Sequence, residues 1–423
     1  MEAEEFDLYV GIDWATQAHQ VWVMDPKGAK LAEWSVEHSG SAIGALADRL
    51  VELAGGRPDR VAVAIEVPRG PVVEMLIERG FAVFSINPKQ LDRFRDRHSV
   101  AGAKDDSRDA FVLGTSLRTD QGCFRRARLD DPIIIELREL SRMEEDLKTE
   151  KNRLANRLRD QLLRFYPQVL KLCGAADEPW VWSLLEKAPS PATAQRLRVG
   201  RVERLLRKHR IRRVSAEEVL QTLQTPALGV AAGVVKAATK HISLLGPRLR
   251  LVHEQLDHCE EQIEALLQEL QCGEGPDSEQ REHRDAEIFL SMPGVGNVVA
   301  ATVLAEASAA LAERDYQALR TNAGLAPITK RSGKSCFVVM RHGCNGRLRN
   351  AFHYWAQAAA RYEPGSRAYY ASLRSRGQSH GRALRSVADR LLRILLAMLR
   401  TNTLFDKTRT RTVATGAPVE VPA

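Results

Sequence analysis

Two different hydrophobic rhythms divide the chain. Near its start the apolar positions fall in short runs: residues 8–14 (Leu-Tyr-Val-Gly-Ile-Asp-Trp), 20–24 and 31–35, with Asp25-Pro-Lys-Gly28 placed as a turn between the second and third. These runs predict three successive strands. A helix is expected over about 41–53. The unbroken apolar stretch from Arg60 to Ile65 then has the pattern of a strand covered on both faces. Pro71 to Arg79 reads as a helix and Phe81 to Ile86 as a second buried strand. Asn87-Pro88 opens a basic helix carrying Arg93, Arg95 and Arg97, and Lys104 to Ala110 begins another. Three antiparallel strands followed by alternating helices and buried strands is the order of an α/β ribonuclease-H-like domain, expected over residues 1–130.

After Asp131-Pro132, an N-cap and first-turn signal, the rhythm changes. Ile133, Leu140, Leu147 and Leu154 recur every seven residues, with Leu137, Leu158 and Phe165 between them, until Pro167. Leu249, Leu256, Ile263 and Leu270 repeat the device. The pair predicts an antiparallel α-helical coiled-coil stalk within residues 131–272, each arm roughly 30–50 Å long. It would be interrupted by a helical insertion over 168–243. Gly273 to Asp285 is polar and reads as a linker. Residues 286–406 read as a mostly α-helical carboxy-terminal domain, and 407–423 as a disordered tail.

Charge adds a partner. The 423 residues carry a formal net charge of +8, with a pI near 9.2, which favours a polyanion. The cations concentrate between Arg196 and Arg213, where Arg204, Arg207, Arg210 and Arg212 are candidates for nucleic-acid contact; a solvated helix face is the plainer alternative. The six cysteines are scattered without a C-x-x-C pair, so neither a zinc site nor a disulfide framework is expected. The acidic amino terminus is no signal peptide, and the longest apolar runs are too short to cross a bilayer. A soluble cytoplasmic protein with no membrane partner is expected.

The candidate chemistry lies where strands end. Asp13 closes the first strand and Glu66 the fourth, while Asp106 and Asp109 share a face of the helix that follows. Singly, each acid is more simply a cap or a surface charge. Together they fit convergence at one sheet edge, where mutual repulsion calls for divalent cations. Oxygen-only ligands suit Mg²⁺, two of which can clamp a phosphoryl displacement. On this view, removing the Asp109 charge should leave folding intact. In the second half, Pro293-Gly-Val-Gly296 could bring backbone amides to a phosphate or be a purely steric turn. Ser332 stands before Gly333, between Arg331 and Lys334, cations suited to a scissile phosphate. With no histidine nearby as a base, the residues alone favour an ordinary turn serine. Arg347 and Arg349 are further candidates for nucleic-acid contact.

These motifs resemble a known family. Gly11-Ile-Asp13, Ala64-Ile-Glu66, Asn87-Pro88 with Phe94-Arg95, and Lys104-x-Asp106-x-x-Asp109-Ala110 are similar to the amino-terminal domain of the DEDD-type transposases of the insertion-sequence one-ten family, which includes Piv-type invertases. Pro293-Gly-Val-Gly296, Ala323-Gly-Leu325-x-Pro327, Ser332-Gly333 and Leu348-Arg349 resemble its carboxy-terminal transposase domain. The resemblance implies a RuvC-like domain whose acidic tetrad falls on Asp13, Glu66, Asp106 and Asp109, and a nucleophilic serine at Ser332. It further implies strand exchange through a phosphoserine link on double-stranded DNA at element ends and target. A guide (bridge) RNA, a homo-oligomer (dimer or tetramer) and association with the nucleoid follow from the same resemblance. Two departures stand out: Asp105 replaces the usual Thr before the third acid, and the basic insertion is long. A resolvase-type nuclease without serine chemistry, and a non-catalytic nucleic-acid-binding scaffold, are the competing readings.

Overall fold

Strands β1 (Leu8–Asp13), β2 (Ala18–Met24) and β3 (Lys30–Glu37) form an antiparallel meander, as the short apolar runs predict. The computed structural model to which they belong describes residues 5–66, 70–86, 88–98, 106–128, 130–272, 277–333 and 335–406. The chain divides into two compact units, residues 1–130 and 131–423. In the first, helix α1 (Gly40–Leu53) leads to β4 (Val61–Ile65), α2 (Pro71–Glu78), β5 (Ala82–Ser85), α3 (Pro88–His98), α4 (Asp106–Thr119) and the two-residue β6 (Arg125–Arg126). The sheet order is β3-β2-β1-β4-β5-β6. Strands β1, β4 and β5 are mutually parallel, and β6 returns antiparallel. This mixed α/β sheet is compatible with a RuvC-like fold.

Strand β4 is buried along its whole length because both faces of the sheet are covered. Val61, Val63 and Ile65 join Val10, Ile12, Leu46, Leu50 and Leu76 in one core. Ala62 and Ala64 face the other way, with Tyr9, Phe84, Leu113 and Leu117. On that second face α4 approaches β1 very closely. A Cβ added to Gly11 would lie 1.8 Å from the Ala110 carbonyl oxygen and 2.6 Å from the Gly114 nitrogen. Only glycine lets this helix lie so near the strand.

The second unit opens with α5 (Pro132–Phe165), capped by the Asp131 side chain, which accepts from the Ile133 amide. It pairs with α11 (Ala232–Cys272). The contacts run antiparallel: the Cys259 thiol donates to the Leu140 carbonyl, and Arg248 reaches Glu150. At 1.5 Å per residue the two helices span about 50–60 Å. Helix α11 begins well before Leu249 and passes through Pro247, a residue that sequence patterns read as a breaker.

Between them lie α6 (Gln168–Leu172), α7 (Pro179–Lys187), α8 (Pro191–Ala194), α9 (Val199–Lys208) and α10 (Ala216–Leu223). They close around Trp180, Trp182, Phe165 and Tyr166 in a core shared with the far end of the helix pair. The near end of the pair shares a different core with the carboxy-terminal helices, centred on Phe289, Phe352 and Trp355. Those helices are α12 (Asp277–Leu290), α13 (Asn297–Glu306), α14 (Ser308–Ala312), α15 (Tyr316–Asn322), α16 (Gly346–Tyr362), α17 (Pro364–Ser375) and α18 (His380–Thr401). Most of the segment read as a polar linker is thus helical: α12 starts directly after Gly273-Glu-Gly-Pro276, and no further breaker follows. A two-stranded hairpin, β7 (Ile328–Ser332) and β8 (Ser335–Val339), interrupts the helices. The expected disordered tail, 407–423, lies outside the described residues. Among those that are described, no helix is long and apolar enough to cross a membrane.

Candidate active site and nucleic-acid surfaces

Parallel pairing puts two of the acids side by side. Ile12 is the register partner of Ile65, so Asp13 and Glu66 emerge from the same end of adjacent strands. Helix α4 begins at Asp106 and carries Asp109 one turn later, close against β1. The consequence is electrostatic. Burial, then the charges of Asp109, Asp106 and Glu66, push the Asp13 carboxyl up to about 6, with Arg95 pulling the other way. Asp109, Asp106 and Glu66 therefore all bear on Asp13 at this sheet edge.

Asp109 is buried, and its charge is met from α3. Arg95 Nε donates to Oδ1 at 2.7 Å and Nη2 to Oδ2 at 2.9 Å, while Nη1 reaches Asp92 at 2.7 Å. Asp106 is exposed, and Asp13 and Glu66 are half-buried. The donor set is all oxygen and clustered, so its chemistry fits a hard divalent cation. Metal binding would have to draw Asp109 from Arg95. Among the described residues, the trio of potential ligand atoms lying within 4.8 Å of one another is instead Cys173, Asp177 and Glu178. There Glu178 is already satisfied by Arg213 and the Trp180 indole, so it is an ordinary ion-paired surface group.

Ser332 ends β7, opposite Ser335, at the tip of a hairpin exposed along both strands. Gly333 takes φ +54° in the turn, a conformation that favours glycine. Arg331 is exposed beside the serine, and Lys334 lies outside the described residues. Phe337 is 65% and Val338 63% exposed on the returning strand, so the hairpin packs little apolar surface of its own.

The remaining candidates divide. Arg204, Arg207, Arg210 and Arg212 are all exposed, while Val202, Leu205 and Leu206 turn inward. Arg207, Arg210 and Arg212 line one cavity of about 390 Å³. Arg349 is half-buried. Arg347, by contrast, is committed within the protein. Its Nε donates to Glu306 at 3.1 Å and Nη2 to the Ser141 hydroxyl at 3.0 Å, and Nη1 pairs with Glu145. Glu306 also accepts from Arg142 at 3.1 Å and Asn345 at 2.9 Å. The Pro293 to Gly296 turn has a steric explanation. A Cβ on Gly294, which has φ +80°, would meet the Ala359 nitrogen at 2.6 Å, and the Trp355 indole donates to the Pro293 carbonyl. Asp257, Glu260, Glu261 and Glu264 line the cavity at the following helix start, an environment that opposes phosphate.

Comparison with known proteins bears on the chain as a whole. A family model for IS110-type DEDD proteins, described as Transposase, matches residues 10–167. That of the Transposase IS116/IS110/IS902 family matches residues 286–371. The mini-circle putative transposase for IS117 of Streptomyces coelicolor is 32% identical, over 97% of this chain and 98% of that protein. The chain belongs to the IS110 family of DEDD transposases. The putative transposase y4uE of Sinorhizobium fredii is 50% identical to this transposase over 209 residues, 49% of the chain and 58% of that relative's length. An insertion element IS110 protein of Streptomyces coelicolor is 29% identical over 96% of this chain and 97% of its own. Family membership carries the general activity of a transposase, cutting and rejoining DNA, and divalent metal use is general among DEDD-type transposase nucleases.

Sequence patterns missed one participant. Arg95 is visible as a basic helical residue and as part of a motif, but its partnership with Asp109 depends on how α3 and α4 pack.

Proposed function

We propose that this transposase cuts and rejoins DNA by attack of Ser332 on a phosphodiester, with Asp13, Glu66, Asp106 and Asp109 holding the Mg²⁺ that the reaction uses. The observation that carries the reading is the parallel register that brings Asp13 and Glu66 to one sheet end, with Asp13 pushed up to about 6 by burial and its three acidic neighbours. A bound divalent cation would neutralise the scissile phosphate and acidify the attacking hydroxyl. The chain's own groups do the rest. Ser332 Oγ bonds to phosphorus as the bond from phosphorus to a deoxyribose oxygen breaks. The serine proton leaves toward the acidic site, and the departing oxygen takes up a proton. A hydroxyl on the incoming strand end then reverses the displacement and releases the serine. On this proposal Arg331, Lys334 and Arg349 hold phosphates of the strand under attack, and the Arg204 to Arg212 surface holds nucleic acid elsewhere along it. In this reading a guide RNA selects the DNA, two or more copies of the chain assemble on it, and the paired α5 and α11 serve as the connecting arm.

One observation favours the competing reading, a metal-dependent nuclease without covalent chemistry: among the described residues of the hairpin, no histidine or carboxylate stands beside Ser332. Denaturing electrophoresis of protein incubated with DNA and Mg²⁺ separates the two. The wild type should form a covalent protein–DNA adduct, and Ser332→Ala should lose adduct and cleavage together while retaining DNA affinity. Cleavage by Ser332→Ala at the wild-type rate would establish the nuclease instead.

A further inference from the structure

At the base of the hairpin, β8 runs into Met340, which lines a cavity of about 300 Å³ together with Arg349, His353 and Arg385. A second cavity of about 230 Å³ adjoins it through Arg385 and Met340 and adds Arg382. Some other arginines of the unit are already ion-paired. Arg314 is held by Asp285, Arg320 and Arg393 by Asp389, and Arg347 by Glu306. Among the described residues, Arg349, Arg382 and Arg385 have no such partner. Arg385 donates to the Met340 sulfur at 3.3 Å, a poor acceptor for a guanidinium. Asp389 borders the second cavity, but Arg320, Arg393 and the Tyr316 hydroxyl already occupy it.

Burial, with Arg382 adding to it, holds the Arg385 guanidinium below its ordinary value. Burial, His380 and Arg385 do the same to the His353 imidazole. Half-buried Arg349 and Arg385, with the exposed Arg382 adding its charge and no anion among them, are costly, and an anion entering the cavity would relieve that repulsion. Guanidinium forks and imidazole N–H groups match phosphate oxygens. The cavity is large enough for a phosphate group and opens beside the hairpin. Val339, next to Met340, is paired with Ile328. Ser332 therefore lies four residues further along β7, roughly 13 Å away at about 3.3 Å per residue.

We infer that Arg349, His353, Arg382 and Arg385 form a seat for one backbone phosphate of the DNA strand that passes along the hairpin to Ser332. The seat anchors the strand a few nucleotides from the phosphate under attack and so fixes which one meets the serine. This rests on the reading of the chain as a DNA-cutting transposase with Ser332 on the hairpin.

The test uses the full chain in a Ser332→Ala background, so that cleavage plays no part. Inorganic phosphate should raise the thermal midpoint of this protein, and adding Arg385→Met should remove that response without lowering the midpoint in phosphate-free, low-salt buffer. With duplex DNA, Arg385→Met should flatten the slope of log affinity against log salt by about 0.9, the counterion release expected for one neutralised phosphate. If Arg385→Met does not fold, the exposed Arg382→Gln is put through the same two measurements. A retained phosphate response together with an unchanged slope overturns the seat. A slope change seen with single-stranded RNA but not with duplex DNA overturns its assignment to DNA. An adduct that fails to form in the wild type while the slope still falls removes the serine reading and leaves the seat standing.

Discussion

Arg95 grips Asp109 in a fork, with Nε on one carboxylate oxygen at 2.7 Å and Nη2 on the other at 2.9 Å. Asp109 is buried, and Arg95 is itself largely covered. One of the four candidate metal ligands is therefore also half of a structural ion pair. Seen as mutually repelling acids, all four should be dispensable for folding. The Arg95 fork makes Asp109 an exception, because its loss strands a half-buried guanidinium.

Asp109→Asn and Asp106→Asn are therefore expected to behave differently. Both should abolish metal-dependent cleavage. Only Asp109→Asn should also reduce stability, by about 1–3 kcal/mol for a charge-assisted pair, as measured by urea denaturation with a chelator present. Equal stability for the two variants would mean that the fork contributes nothing.

Asp13 predicts a dependence on pH. Its carboxyl is raised in the fold from 3.8 to about 6, so the folded protein holds this proton more tightly than the unfolded chain does. As pH climbs from about 4 to about 6 the proton is lost, and the contribution of this group to stability falls with it. In chelated protein, Asp13→Asn should remove that decline, so that its thermal midpoint gains on the wild type between pH 4 and pH 7. Parallel curves for the two proteins would show that Asp13 is not perturbed.

Glu306 carries the opposite sign. Burial works to raise its carboxyl, but the hydrogen bond from Asn345 and the charges of Arg142 and Arg347 outweigh it and hold it below its ordinary 4.5. Its contribution is present above that pH and fades as pH falls through the lowered value. Glu306→Gln should cost about 3–5 kcal/mol, the penalty of breaking a buried pair from one side. The deficit, read from chemical denaturation, should be full at pH 7 and shrink toward pH 3.

Neutralising Arg204, Arg207, Arg210 and Arg212 together should weaken nucleic-acid binding. The log–log salt slope should flatten by about 0.7–0.9 for each phosphate that is no longer neutralised, with secondary structure by circular dichroism unchanged because all four side chains are exposed. An unaltered slope would make this surface an ordinary solvated face.

Asp13 and Ser332 lie in separate compact units, and the serine's hairpin is exposed along both strands. Mixing Asp13→Asn protein with Ser332→Ala protein should restore part of the adduct, as one chain's serine acts with the other's acids. No rescue over a range of mixing ratios would confine the reaction to a single chain.

Much of the first unit is legible in the sequence because parallel strands covered on both faces must be continuously apolar, and the Val61 to Ile65 run can be little else. Its neighbour relation to β1 places Asp13 beside Glu66. The β7–β8 hairpin is not legible for the opposite reason. Thr329, Lys330 and Arg331 are all exposed, so no alternation against a core marks the strand. The early start of α11 is masked by Gly233 and Pro247, which local rules read as breakers but which packing against α5 and α7 overrides. Pairing of Arg95 with Asp109 spans 14 positions and two helices, and no local spacing encodes it.

The approach of Gly11 to the backbone of α4 has an evolutionary corollary. Because a main-chain oxygen and nitrogen, rather than side chains, stop the helix against the strand, the gap separating Asp13 from Asp109 is gauged by bare polypeptide. Core residues on either side can drift in size and shape without retuning that gap. A single methyl group at position 11 would wedge it open, so this lineage can tolerate broad divergence in its interior while remaining intolerant of the smallest possible change at one glycine.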